Sequence, residues 1–198
     1  MLEFKDATIK VGDKTLVSNL SFIARDGELT CITGPEGAGK SILLRTLMGF
    51  LPVSEGFVSV DGELLTVLSA HAFRKMMVYL PQKMELLAHQ LHEPEMEDPE
   101  PEDFAVWNGV LPSTNKEPDP KPLNAEEIMI LAEKTLNEAV DKPIVIADEP
   151  TARLTPELAM HMIEMLRQQA SQGKTVLIAS RTPQVADYAD QVIQLNKR

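Results

Sequence analysis

At 198 residues the chain has the length of one domain, with room for a small insertion, and 43% hydrophobic residues give it enough apolar material for a core. Nineteen Lys and Arg against thirty Asp and Glu leave a net charge of −11, which argues against broad binding to nucleic acid or anionic membranes. No apolar stretch approaches the ~20 residues that cross a bilayer, the first residues (Met1-Leu2-Glu3-Phe4-Lys5-Asp6) lack a signal-peptide pattern, and the single Cys31 precludes an internal disulfide. The expected compartment is the cytoplasm.

In chain order, the first thirty residues read as short strands. Leu2, Phe4 and then Ile9 offer one apolar face and Leu20, Phe22 and Ala24 another, with turns at Gly12-Asp13 and Asp26-Gly27. Cys31 sits in the apolar run Leu29 to Thr33 and is expected to pack as a small buried hydrophobe. That run leads into Gly34-Pro35-Glu36-Gly37-Ala38-Gly39-Lys40-Ser41, and a helical pattern covers Ile42 to Leu51. The pattern G-x-x-x-x-G-K-[ST] between a strand and a helix is the phosphate-binding loop. Its glycines let backbone N–H groups converge on a polyphosphate, and the helix presents its positive end to the same anion. Lys40 then reaches the terminal phosphates and Ser41 ligates Mg²⁺.

Gly56 to Val60 reads as a strand ending in the Asp61-Gly62 turn, Ser69 as the cap of a short helix through Met76, and Met77 to Leu80 as a buried strand stopped by Pro81. From residue 83 to 122 the composition turns to proline and acid, with much of the net charge between Glu93 and Asp103; this predicts an extended insertion without long helices, with Phe104 and Trp107 anchoring it to the body or forming a partner-binding patch. Asn124-x-x-Glu127 is a capping box for a helix carrying Ile128, Leu131, Ala132, Leu136 and Ala139. Ile144 to Ala147 is an uninterrupted apolar strand, Thr155-Pro156 opens a helix that runs to about Gly173, and Thr175 to Ala179 and Val192 to Leu195 are further strands. Met160, Met162 and Met165 on that last helix are expected core and contact filler. Strands alternating with helices after a β-rich start predict an α/β fold with a mainly parallel sheet and an added antiparallel layer.

The strand at Ile144 to Ala147 runs into Asp148-Glu149-Pro150-Thr151. A carboxylate at a strand end beside a phosphate loop can hold the Mg²⁺ shell, the role for Asp148, and its neighbour can polarise an attacking water, the role for Glu149.

On the phosphate loop, Tyr79-Leu80-Pro81-Gln82 and Asp148-Glu149-Pro150-Thr151, the chain resembles the ATP-binding cassette (ABC) family, the nucleotide-binding subunits that drive ABC transporters. The resemblance covers nearly all of residues 1–198 outside 83–122, which stands where the family has a helical subdomain. It implies a P-loop NTPase core that binds ATP and Mg²⁺ through Gly34, Pro35, Glu36, Gly37, Ala38, Gly39, Lys40, Ser41, Ile42 and Gln82. Ser41, Gln82 and Asp148 form the implied metal shell and Glu149 the base. Implied partners are a second nucleotide-binding subunit, as homodimer or heterodimer, and a membrane permease that would bring the chain to the inner face of the membrane.

Four positions depart from the family's pattern. Its signature Leu-Ser-Gly-Gly-Gln aligns with Leu123-Asn124-Ala125-Glu126-Glu127, where two carboxylates repel a triphosphate. Arg181 stands in place of the switch histidine and Thr155 in place of the D-loop aspartate, and no aromatic lies near Val11, where the family stacks adenine; Phe4 and Phe22 read as strand core. The expected function is an ATP-binding subunit of a transport system whose hydrolysis is weak or partner-dependent. Two other readings stay open, a non-transport nucleotide-dependent regulator and another phosphate-loop enzyme such as a small kinase.

Overall fold

A computed structural model describes residues 1–90 and 121–196. The central part of the proline- and acid-rich segment, with Phe104 and Trp107, lies outside the described residues.

The chain begins with an antiparallel sheet ordered β2-β1-β4-β5, built from β1 (Leu2–Val11), β2 (Lys14–Ala24), β4 (Glu55–Val60) and β5 (Glu63–Leu64). Leu2, Phe4, Ala7 and Ile9 are all buried although Phe4 and Ala7 are an odd number of residues apart. A register shift between Phe4 and Ala7 reconciles them: Asp6 takes φ 48°, its N–H donates to Ser21 Oγ at 2.8 Å, and the bulge returns the following residues to the core face. Phe4 and Phe22 stack at 4.9 Å, as expected of strand core. Asp61 and Gly62, both at positive φ, make the tight β4–β5 turn.

The second sheet is parallel and ordered β6-β7-β8-β3-β9, from β3 (Leu29–Thr33), β6 (Met77–Leu80), β7 (Ile144–Asp148), β8 (Thr175–Ser180) and β9 (Gln191–Gln194). Buried residues alternate between its faces. Ile32, Ile144, Ile146, Leu177 and Ala179 face the antiparallel layer and helix α1 (Lys40–Leu47). Cys31, Val145, Ala147, Val176 and Ile178 face the helices α4 (Ala125–Glu138), α5 (Pro156–Ser171) and α6 (Pro183–Asp187). Cys31 is fully buried, and burial pushes its thiol up to about 11. Met162 lies in the same core, with Met165 packed against it.

Several boundaries differ from expectation for local reasons. Helix α1 stops at Leu47 rather than running to Leu51, because Gly49 turns left-handed (φ 75°), and a Cβ there would come within 2.5 Å of Ala70 Cβ. Ser69 stands at the N-cap of α2 (Ala70–Lys75), as expected, but its side chain makes no capping bond to the helix. Instead Thr66 and Ser69 bond reciprocally, Ser69 N–H to Thr66 Oγ1 at 3.2 Å and Thr66 N–H to Ser69 Oγ at 2.8 Å, so the capping pair begins three residues earlier. The stretch expected to be extended from 83 opens with a short helix, α3 (Met84–Gln90), since its sequence carries good helix formers and no proline before Pro94. The expected caps of α4 and α5 are present, with Thr155 accepting from Leu158 N–H. Among the described residues, no helix is long and apolar enough to cross a membrane.

Candidate nucleotide site

Level register across the parallel sheet (Thr33 beside Ser180, Ala179 beside Asp148, Ala147 beside Leu80) brings four loops to one edge. Ligands bind at this carboxyl end of parallel strands in open α/β sheets. The loop Gly34 to Gly39 leaves β3, Gln82 follows β6, Glu149 follows β7 and Arg181 follows β8.

The phosphate loop is held by geometry that only glycine supplies at its first position. Gly34 has φ 153°, and a Cβ there would lie 2.4 Å from the Leu195 carbonyl oxygen. Gly39, at φ 96°, is the N-cap of α1 and supplies no capping side chain. Helix α1 also has no acid in its first turn, so its N–H groups and positive end stay available to an anion. Lys40 is buried, and its Nζ folds back onto the loop, donating to the carbonyls of Gly34 at 2.8 Å and Pro35 at 3.2 Å.

A cleft of about 410 Å³ opens over this loop. Glu36, Gly37, Gly39, Lys40, Ser41 and Ile42 line one side, and Gln82, Glu149 and Arg181 the other. The structure thus brings Gln82 and Glu149 together with the loop, as the sequence predicts. Gly34, Pro35 and Ala38 do not line the cleft; Ala38 is buried, and the carbonyls of Gly34 and Pro35 hold Lys40. Lys14 and Leu16, which the sequence reading missed, complete the wall. They sit on β2, whose place beside the loop follows from sheet packing and leaves no local motif. Val11 is exposed and does not line the cleft.

Asp148 is the last residue of β7 and lies behind the loop. Burial raises its pKa above the usual carboxylate range and the charge of Glu149 adds to the rise, while the Ser41 hydroxyl beside it favours the charged form. Its Oδ1 is buried and has no hydrogen-bond partner among the described residues. An orphaned carboxylate oxygen next to a hydroxyl is a donor set that suits a hard cation, and Mg²⁺ is held by one or two carboxylates together with substrate phosphates. The residues present therefore fit Mg²⁺. Tyr79 completes the surroundings: burial, then the Asp148 charge, push its phenol up to about 12.

Glu149 is buried and adopts φ 49°, a left-handed conformation that costs a non-glycine residue about 1–3 kcal/mol. Its carboxylate is heavily engaged. Oε1 lies 3.6 Å from Lys40 Nζ and 3.2 Å from Arg181 Nε, and Oε2 accepts the Arg181 backbone N–H at 3.1 Å. Arg181 Nη1 also reaches Glu36 Oε2 at 3.4 Å. Strand order explains this. β8 lies between β7 and β3, so the residue after it stands between the phosphate loop and the acidic pair. The sequence identified Arg181 as a substitution and could not show this contact.

Beside the cleft, Arg153 ties three elements. Its Nη1 contacts both Glu85 oxygens on α3 at 3.0 and 2.7 Å, and its Nη2 donates to the Leu123 carbonyl at 2.8 Å, just before α4. Burial opposes the charge on Glu85, but a backbone hydrogen bond and Arg153 outweigh it and hold the carboxyl below its usual value. At α4 itself, Asn124 Oδ1 accepts from Glu127 N–H at 2.9 Å and Asn124 N–H donates to Glu127 at 2.8 Å. The N-terminus of α4 is thereby closed by its own side chains.

Known proteins resemble this chain in sequence and in fold. The sequence model of the ABC transporter family matches residues 17–152, more than half of the chain. The chain is 28% identical over 203 residues to the ABC transporter ATP-binding/permease protein Rv1747 of Mycobacterium tuberculosis, covering 93% of this chain but 23% of that protein. It is 25% identical to the hemin import ATP-binding protein HmuV of Methylobacillus flagellatus, covering 98% of this chain and 80% of that one. The fold matches that of the dimeric ATP-binding cassette MJ0796 bound to ADP and Pi, with a TM-score of 0.71 at 20% identity over 100% of this chain and 97% of that one. The chain belongs to the ABC transporter family and is an ABC-type nucleotide-binding domain.

Proposed function

We propose that this chain is the ATP-binding subunit of an ABC-type transport system that holds Mg²⁺-ATP through its own phosphate loop and hydrolyses it slowly by itself. The observation that carries this reading is the convergence of Lys40, Ser41, Gln82 and Glu149, from three separate segments, on one cleft at the carboxyl end of a parallel sheet. The loop N–H groups and the open end of α1 bind the phosphates, and Lys40 exchanges its carbonyl partners for them. Ser41, Gln82 and Asp148 would hold Mg²⁺, which when bound neutralises charge on the terminal phosphates. Leu16 and Ile42 offer apolar contact to the base.

Weak turnover follows from what surrounds the base. Glu149 must accept a proton from water, yet both its oxygens are engaged by Arg181 and one also by Lys40. Charge stabilisation from a facing subunit would have to come from a terminus like that of α4, where Asn124 and Glu127 occupy the backbone donors and Glu126 and Glu127 add negative charge. Removing one well-placed donor elsewhere costs about 10²–10³ in rate. Catalysis therefore depends on a partner cassette whose signature is complete, with the pair docked on a membrane permease. The same engaged Glu149 favours a second reading, a regulator that binds ATP and scarcely turns it over.

Equilibrium titration of the purified chain with Mg²⁺-ATP tests the site. Binding that is abolished by Lys40→Ala supports it. No binding at saturating nucleotide, or unchanged affinity in the variant, rejects it.

A further inference from the structure

Gln82 lines the cleft, yet it is exposed and its side chain makes no hydrogen bond among the described residues. Its place opposite the phosphate loop therefore comes from its backbone. On one side that backbone is fixed by β6, where Leu80 pairs with Ala147. On the other side stands Glu85, in the first turn of α3. Glu85 is buried, and its carboxylate meets Arg153 Nη1 at 3.0 and 2.7 Å, while Arg153 Nη2 donates to the Leu123 carbonyl at 2.8 Å. Arg153 itself belongs to the turn after Glu149, where Ala152 N–H donates to the Glu149 carbonyl at 3.1 Å. Gln82, Glu149, Pro150 and Arg153 border one gap of about 10 Å³, no more room than a single water needs. In packing this tight, a shift of one residue is passed to the others.

We propose that Arg153 is the positioning residue for Gln82. By pairing with Glu85 it holds the chain beyond Gln82 at a fixed distance from the Glu149 turn, and so keeps the Gln82 amide aimed into the cleft. The inference rests on the reading of Gln82 as a ligand of bound Mg²⁺-nucleotide. Arginine suits the task because one planar guanidinium serves two acceptors in different directions, a carboxylate on α3 and a carbonyl ahead of α4. A lysine would keep the charge and lose the fork. Groups that orient a metal ligand from behind typically cost about 10–100-fold in metal affinity when they are removed.

The test is calorimetric titration with a non-hydrolysable ATP analogue, in Mg²⁺ and again in EDTA. Its readout is the ratio of the two affinities. The proteins are the parent, Arg153→Ala, Arg153→Lys, Glu85→Gln, Gln82→Ala and the double variant Gln82→Ala/Arg153→Ala. Arg153→Ala and Glu85→Gln should lower the ratio by about 10-fold and Arg153→Lys by less, with affinity in EDTA within about 3-fold of the parent. The double variant should match Gln82→Ala within about 2-fold, because Arg153 acts through Gln82. If Arg153→Ala fails to fold, Arg153→Lys and Glu85→Gln carry the same comparison. Losses that multiply in the double variant, or that are equal with and without Mg²⁺, would overturn the proposal and leave Arg153 a structural tie. If Gln82→Ala lowers the ratio while the Arg153 and Glu85 variants do not, this inference alone fails. If the parent binds no nucleotide, the site reading fails with it.

Discussion

Helices α1 and α4 both follow loops, and their N-termini are built in opposite ways. Helix α1 starts from a left-handed glycine, has no side-chain cap and no acid in its first turn. Helix α4 starts from Asn124, carries a complete capping box and has Glu126 and Glu127 in its first turn. The first four N–H groups of any helix need partners from outside it. A capping box and first-turn acids satisfy them and offset the dipole, worth about 1 kcal/mol or more to the helix, and the same residues repel an incoming phosphate. An end left open gives up that stability and keeps the donors for a ligand. The family resemblance leads one to expect anion-binding termini at both places; here the α1 terminus has no side-chain cap and the α4 terminus is closed by its own capping box.

The comparison breaks most readily at the open end. Lys40→Ala should weaken Mg²⁺-ATP binding by at least about 100-fold, since it removes the one flexible point charge of the loop. Thermal unfolding of the same variant should shift little, because among the described residues Lys40 bonds the loop carbonyls of Gly34 and Pro35 and contacts Glu149. Equal loss of stability and affinity would show that Lys40 is structural.

Asp148→Asn sharpens the same end. A buried carboxylate without a partner on Oδ1 is retained at some cost in stability. The variant should lose the Mg²⁺ dependence of nucleotide binding while its melting temperature holds or rises. The pH dependence has a fixed sign. The folded-state pKa of Asp148 is raised above 3.8, so its contribution favours the fold at low pH and is lost as pH rises through the raised value. Mg²⁺ binding needs the ionised form and should weaken as pH falls through that same window. A melting temperature several degrees lower in Asp148→Asn at pH 7 would contradict the assignment.

At the closed end the effects exchange places. Asn124→Ala removes one half of the capping box and should cost about 1 kcal/mol of stability, read by chemical denaturation, with nucleotide affinity unchanged. A change in affinity would mean that α4 takes part in the site of its own chain. The smallest expected effect concerns the base. With Leu16 and Lys14 on the wall and no aromatic among the described residues that line the cleft, GTP and ATP should compete within about tenfold of each other, or 1.4 kcal/mol. A hundredfold preference for ATP would require a base pocket outside these residues.

What the sequence disclosed were the features that short spacing encodes. The phosphate loop, the capping box at Asn124, the uninterrupted apolar run of β7 and the Thr155-Pro156 helix start all have local physical signatures, and the structure places these elements as expected. Hidden were the features made by chain segments far apart. The bulge at Asp6, set against Ser21, explains an odd apolar spacing that alternation alone does not. Arg181 meets Glu149 and Glu36 because β8 lies between β7 and β3, and strand order is not written in any of the three neighbourhoods. The Arg153 contacts to Glu85 and Leu123 join residues 68 and 30 positions away. The left-handed turn at Glu149 has no signal either, since glutamate disfavours it and only the surrounding structure imposes it.

The central claim is that this chain keeps the half of an ATP site that binds and lacks the half that a facing subunit donates for turnover. Steady-state phosphate release by the purified chain at saturating Mg²⁺-ATP, before and after Glu149→Gln, tests it most directly. The account predicts turnover at or below about 0.1 s⁻¹, some 100-fold under the ordinary enzyme median of about 10 s⁻¹, and little change on substitution because the base does not limit the reaction. Turnover of several per second that Glu149→Gln eliminates would contradict it.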